Sequence, residues 1–464
     1  MFIINKIKGL FLWRNHSPAQ NIVMTFAMLI FGGAVLLTLP ICNKSGLSLN
    51  FLDALFTATS ASCVTGLVTV ITFEQFNVLG QIVIILLIQF GGLGVMTIMA
   101  TFILMLKNRL SMNEKIAMRD MLNHDYLSDM KGFILDILKY TFIFESIGAL
   151  LLMIVFIPEF GIISGIWKGI FLSISAFCNA GFDILGANSL IPYQTNSIVN
   201  FTIMSLIVLG GLGFAVWFDL RDKIVESIKK KVKLRKFIRT LAFHSKIVIV
   251  MTLILIFVPA IIMFLLEMNN PATFGNLSFF DKIQCALFQS VTLRTCGFAS
   301  VDYAGLTLGT KFIMIICMFI GGSPGGTAGG IKTTTLAVII IFMVSTFFGK
   351  HDGAIFKRSI NKDIVLRAVT IFMINIIALS IGIFILCLSE GATLVEIMFE
   401  CASALATVGL TLGITTGLST IGKITIISLM YIGRIGALTL LISVIKKGSS
   451  NRGITYPNAT IIVG

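Results

Sequence analysis

Four short stretches carry residues whose types and spacing could do chemistry: Val64-Thr65-Gly66, Asn179-Ala180-Gly181, Thr295-Cys296-Gly297 and Thr407-Val408-Gly409. Their glycines stand 115, 116 and 112 residues apart, a recurrence far harder to obtain by chance than one glycine-rich turn. The chemistry such stretches offer is cation coordination by backbone. Glycine lets the chain take conformations closed to other residues, so the carbonyls before it can turn inward and replace the water around an ion. On this reading the carbonyls of the eight residues that precede the four glycines are the ligands of a cation-selectivity filter. Asp183 and Asp302 follow the second and third stretches by two and five residues, where carboxylates at an outer mouth would concentrate cations or cap their own loops.

Each stretch needs an element to aim it, and each follows a short apolar helical run: Phe51 to Ala61, Lys168 to Ala176, Lys282 to Leu293 and Val395 to Ala404. Such a helix points its negative C-terminal end at the loop, which favours a cation. Around these lie apolar runs long enough to cross a bilayer, which takes roughly 20 residues. Composition agrees: 56% of the 464 residues are hydrophobic and 12% charged, and mean hydropathy is +0.99. Ordinary soluble domains carry about 25% charged residues. The expected fold is therefore an all-α polytopic membrane protein with four pseudo-repeats of outer helix, pore helix, filter loop and inner helix around one central pore. The repeats are 22–106, 133–218, 245–348 and 364–445, giving eight spans and four re-entrant loops. Cytoplasmic segments are expected at 1–21, 107–132, 219–244, 349–363 and 446–464.

The inner helices carry their own glycines. Phe90-Gly91-Gly92-Leu93-Gly94 recurs as Leu209-Gly210-Gly211-Leu212-Gly213, and the fourth unit has Ile432-Gly433-Arg434-Ile435-Gly436. In the third unit the span is interrupted by Gly321-Gly322-Ser323-Pro324-Gly325-Gly326-Thr327-Ala328-Gly329-Gly330. Irregular backbone at membrane depth is tolerated where it lines a cavity or is buried in protein, so 321–330 reads either as a permanent kink or as a movable flap below the filter. Arg434 lies 11 residues from Lys423 and 12 from Lys446, roughly 17 Å from either interface at 1.5 Å per residue. That is too deep to snorkel, and a charge there faces the bundle interior or a water-filled cavity. Arg294 precedes the third stretch and reads as a brace behind it, paired to a pore-helix carboxylate such as Glu400. Glu145 is similarly deep, with no partner assignable.

The net charge of +14 does not point to nucleic acid, because the basic residues crowd into alternate connections. That asymmetry is the positive-inside pattern, and it puts both termini in the cytoplasm, with an even number of spans. The segment with Lys229, Lys230, Lys231, Lys233, Arg235 and Lys236 is expected to meet anionic lipid, a regulatory partner, or both. No small-residue cleavage site follows the first apolar run, so no secretory signal is expected. The eight cysteines read as small apolar packing residues. The four histidines, His16, His124, His244 and His351, fall in the expected cytoplasmic segments and form no metal cluster within a span, so an enzyme is not expected. No G-x-G-x-x-G strand–helix unit occurs, so no cofactor is expected in this chain and any nucleotide control must come from another polypeptide.

Thr59 to Leu67, Gly321 to Thr334 and Tyr431-Ile432-Gly433-Arg434-Ile435-Gly436 resemble the Ktr/Trk/HKT superfamily of potassium transporters, most closely the bacterial membrane subunit of the KtrB type. The resemblance covers nearly the whole chain. It implies a homodimer, one pore per protomer, and a cytoplasmic nucleotide-binding regulatory ring of the KtrA kind. It also implies that 321–330 is an intramembrane gate, and that glycine at all four filter positions goes with potassium selectivity, whereas serine at the first goes with sodium. The function implied is the ion-conducting subunit of a potassium uptake system. The alternative is a secondary cation transporter with alternating access, in which broken helices carry a midplane site.

Overall fold

The computed structural model describes residues 18–94, 130–186, 188–231, 234–349, 353–356 and 358–444. His16, His124, His351, Lys233, most of the first expected linker and the C-terminal tail lie outside the described residues.

One order of elements occurs four times: a long helix, a short helix, a glycine loop, and a helix that returns. The long helices are α1 (Pro18–Thr38), α4 (Met130–Phe160), α8 (Phe243–Glu267) and α12 (Lys362–Ser389). All four are long and apolar enough to cross a membrane. They are lipid-facing in character, since only 17% of the most apolar stretch of α12 is buried inside the protein, and 39% in α1. The short helices are α2 (Phe51–Cys63), α5 (Ile162–Phe177), α9 (Phe279–Thr292) and α13 (Leu394–Ala406). A 13-residue helix such as α2 rises about 20 Å, short of the ~30 Å hydrocarbon core.

Three of the short helices start at a side-chain cap. The Asn50 side chain accepts from the Leu52 amide and Ser278 from Asp281, while Thr393 and Glu396 form a reciprocal capping box. Their far ends are the most deeply buried parts of the protein. Ala58, Ala61, Ala176, Ala402 and Ala404 are wholly buried there, small enough to let backbones approach closely.

The returning helices are α3 (Val78–Gly92), α6 (Ser197–Gly211), α10 (Leu308–Phe319) and α14 (Thr420–Ile435). A break was expected only in the third unit. Instead the other three returning helices also stop, each at or just past its glycines. Gly94, Gly213 and Gly436 all have φ near +90°, at 84°, 93° and 91°, a left-handed conformation that ends a right-handed helix. In the second unit the chain bends by 100° into α7 (Phe214–Lys229). In the fourth it continues as α15 (Ala437–Val444), and in the third as α11 (Thr333–Phe347) after the long loop.

The same glycine pairs explain how tightly the units pack. A Cβ at Gly91, Gly210 or Gly433 would fall under 3.0 Å from the carbonyl oxygen of Ser62, Phe177 or Leu405, at the end of that unit's own short helix. The last unit then closes on the first. Lys423 of α14 pairs with Asp53 of α2 at 2.7 Å, and the Tyr431 hydroxyl donates to the Val23 carbonyl of α1 at 2.6 Å. Ala354–Ile355 and Arg358–Ser359 form the one strand pair among the described residues.

Candidate functional site

The four glycine stretches meet in a ring. Each short helix runs out into one left-handed residue at the same position: Val64 (φ 58°), Asn179 (φ 60°), Thr295 (φ 63°) and Thr407 (φ 54°). In the first, second and fourth units this residue caps the helix in a Schellman pattern. Val64 N–H donates to the Ala61 carbonyl and Thr65 N–H to that of Ser60. Asn179 and Ala180 do the same to Ala176 and Ser175, and Thr407 and Val408 to Ala404 and Ser403. The third loop is a variant in which Cys296 N–H reaches back to the Thr292 carbonyl. Non-glycine residues adopt φ above zero uncommonly, at about 1–3 kcal/mol each, and such strain persists where the surroundings over-determine it. Four at matching positions mark a built site.

The glycines themselves follow at φ 97°, 68°, 86° and 95°. A Cβ at Gly66 would stand 2.6 Å from the Ala180 carbonyl oxygen, and at the other three it would come closer still to the next loop. Gly181 faces the carbonyl of Cys296, Gly297 that of Val408, and Gly409 that of Thr65. Each glycine abuts the carbonyl just before the next glycine, in the cyclic order one, two, three, four, one. All eight residues that precede the glycines are buried. Ser60 and Ser403 brace the first and fourth loops from behind, each hydroxyl accepting from the Gly66 or Gly409 amide at 3.0 Å.

Directly against this ring lies the loop between α10 and α11. Its ends are clamped, with Gly321 N–H on the Ile331 carbonyl at 2.8 Å and Thr333 N–H on that of Gly322 at 3.0 Å. Its middle is fixed to the broken α6, where Ser323 N–H and Thr327 N–H donate to the carbonyls of Gly211 and Gly210, and Phe214 N–H donates to that of Gly325. Gly329 packs on the Thr407 side chain and Gly330 on Ala406 of the fourth loop, while Gly326 packs on Gly210 and Gly213. The Arg434 guanidinium spans from α14 to this loop. It donates to the Thr327 carbonyl and, on the other side, to the carbonyls of Gly91 and Gly92 in α3, the latter at 3.0 Å. A positive charge and a glycine-rich plug therefore share one place beside the ring.

The family model of the TrkH cation transport proteins matches residues 8–453 of this chain. The chain belongs to that family. It is similar to the potassium/sodium uptake protein NtpJ of Enterococcus hirae, at 41% identity over 97% of both chains. It is also similar to the Ktr system potassium uptake protein B of Bacillus subtilis, at 39% over 97% of this chain and 98% of that one. The fold is that of the crystal structure of the potassium transporter TrkH from Vibrio parahaemolyticus, with a TM-score of 0.69 at 17% identity, covering 91% of this chain and 83% of that one. The resemblance read from the motifs holds: this is a membrane transport protein of the Ktr/Trk family and not an enzyme.

Within this TrkH-family chain, one expectation about charges changes. Arg294 does not pair with Glu400. Glu400 accepts from Thr411 Oγ1 at 2.7 Å and from Thr415 Oγ1, partners downstream in its own unit. Arg294 is 2% exposed and reaches only Thr252 Oγ1, at 3.4 Å. Its Nε and Nη1 have no partner among the described residues. Asp183 and Asp302 both brace their own loops, accepting from Leu185 N–H at 3.1 Å and from Ala304 N–H at 2.9 Å.

Glu145 of α4, left without a partner above, takes both hydrogen bonds of Gln89 Nε2, at 3.1 and 3.2 Å. Gln89 sits one turn before Gly92 deep in a helix whose other polar side chain, Gln81, lies near its start, which was the available signal. Lys332 was missed. Its ammonium donates to the Ala328 carbonyl at 2.7 Å and staples the loop's end to its middle. A lysine following the glycine run inside an apolar span could have flagged it.

Proposed function

We propose that this chain is the ion-conducting subunit of a potassium uptake system, in which K+ passes a selectivity filter formed by the four glycine loops. The observation that carries the reading is the closed ring, since four equivalent loops around one axis suit a single pore better than two inverted halves. The four units would supply eight membrane crossings, with the returning helices broken, and both termini in the cytoplasm. Asp183 and Asp302 would mark the outer mouth. Gly321, Gly322, Gly325, Gly326, Gly329 and Gly330 with Arg434 would form the gate.

The relatives' names, a potassium/sodium uptake protein and a component of a Ktr system, support potassium as the ion, sodium as the second one to test, and a further subunit as partner. A homodimer bound to a cytoplasmic nucleotide-binding ring follows from the same family reading. Purified protein in liposomes should show passive potassium influx that follows an imposed membrane potential and exceeds sodium influx. Flux that saturates at transporter rates and needs a co-ion gradient would instead support alternating access.

The basic segment after α7 supports contact with anionic lipid. Lys230 and Lys223 hydrogen-bond to Glu226 and hold its carboxyl down to about 2, so Lys230 is committed within its own helix. Lys229 and Lys231 are left for a headgroup, at about 1 kcal/mol per basic residue near an anionic surface. Lys229→Gln with Lys231→Gln should lower binding to anionic vesicles by roughly thirtyfold and leave binding to neutral vesicles alone. Unchanged binding to anionic vesicles would turn the assignment toward the regulatory partner.

A further inference from the structure

Resting on the reading of the glycine ring as a filter, we propose that Asn179 and Thr327 set ion selectivity as positioning residues, so the loop beside the ring governs discrimination as well as flow. Asn179 is wholly buried at the left-handed position of the second loop. Its Nδ2 donates to the Arg294 carbonyl at the head of the third loop, at 3.1 Å. That bond ties the second loop to the third and so sets the spacing between Gly181 and the Cys296 carbonyl it faces.

The amide can make this bond only with its oxygen turned the other way, and Thr327 meets that oxygen. The Thr327 hydroxyl lies 3.0 Å from Asn179 Oδ1 and 3.1 Å from the Phe177 carbonyl. Thr327 is itself fully buried and pinned through its N–H to the Gly210 carbonyl at 3.1 Å. The loop thus fixes which end of the Asn179 amide faces the third loop. It also touches the matching residue across the ring, because Gly329 packs on the Thr407 hydroxyl, which has no hydrogen-bond partner among the described residues. In the cyclic order of the loops, the second and fourth are opposite. The loop therefore grips the ring along one diagonal.

Selectivity depends on the number and field strength of the carbonyls an ion meets. When Thr327 leaves, Asn179 loses the bond that orients it and the second and third loops are free to separate. Potassium and sodium fluxes of the purified full-length protein in liposomes test this with Thr327→Val, Thr327→Ser and Asn179→Leu. Valine keeps the shape and removes the hydroxyl, and should lower the potassium-to-sodium flux ratio by roughly tenfold, about the effect of one lost buried hydrogen bond. Serine restores the hydroxyl and should restore the ratio. Asn179→Leu should lower the ratio at least as far. Should Asn179→Leu fail to fold, the valine and serine pair decides alone. Thr327→Val with raised flux and the wild-type ratio overturns the inference and leaves the loop a gate only. A wild-type protein that fails to discriminate would overturn the filter reading itself, a separate result.

Discussion

Replacing Arg434 with alanine should raise basal potassium flux by between roughly ten- and a thousandfold. The upper figure comes from electrostatics: two unit charges about 4 Å apart at an effective dielectric of about 20 repel by ~4 kcal/mol, and each 1.4 kcal/mol is about a factor of ten. The lower figure allows for the carbonyls that already surround the guanidinium. It donates to Thr327 on the loop and to Gly91 and Gly92 on α3, and these acceptors offset part of its charge. The same bonds give the residue a second role, because they hold the loop against the first unit's helix. Arg434→Ala removes both the charge and the strap. Arg434→Lys keeps the charge, but a single ammonium cannot match a planar fork that reaches two elements. Lysine should therefore give an intermediate flux. Deleting 325–329 removes the plug and should also raise flux, and the combination with Arg434→Ala should give less than the product of the two effects. Arg434 binds Thr327 through its carbonyl, whereas the hydroxyl that orients Asn179 keeps its own bonds, so Arg434→Ala should keep the wild-type ion ratio. Arg434→Ala with unchanged flux and poor expression would make the arginine a brace.

The ring was legible in the sequence because its parts are local. A capped apolar helix, a turn and a glycine fix the backbone of each loop, and four copies at near-equal spacing imply a common axis. The breaks in α3, α6 and α14 were not legible. Gly-Gly-Leu-Gly inside an apolar run serves equally as a packing face or as a helix end. The fold uses it as both, with Gly91 and Gly210 pressed on the short helices and Gly94 and Gly213 at positive φ. Only the third unit, with seven glycines and prolines in ten residues, announced its break. Partners across units were the hardest to read. Glu400 was assigned to a distant arginine, yet Thr411 and Thr415, eleven and fifteen residues on, return along its own loop and satisfy it. Gln89 with Glu145 depends on which faces meet once the units pack, and periodicity carries no record of that.

Serine at Gly66 should give a folded protein with relaxed selectivity, whereas serine at Gly409 should abolish selective flux. The two glycines have nearly the same backbone, φ 97° and 95°, so the strain of placing an L-residue there, about 1–3 kcal/mol, is common to both. What differs is the space ahead of them. The Cβ at Gly66 would meet the Ala180 carbonyl at 2.6 Å, with the Gly181 backbone at 3.3 Å beyond. A shift of a few tenths of an ångström in one carbonyl would relieve much of that clash. At Gly409 the Cβ would press harder on the Thr65 carbonyl and would stand 3.0 Å from the Gly66 Cα. Relief there must move the first loop as a whole, which is held from behind by Ser60 and by its own helix end. The looser contact lies at the first position, the one where the superfamily pattern accommodates serine with sodium passage. Moving one carbonyl changes the field an ion meets, and a loss of about 1.4 kcal/mol lowers the potassium-to-sodium ratio by roughly tenfold. Gel filtration of each variant checks folding, and potassium and sodium influx into liposomes gives the ratio. If both variants folded and kept the wild-type ratio, discrimination would reside outside the four loops.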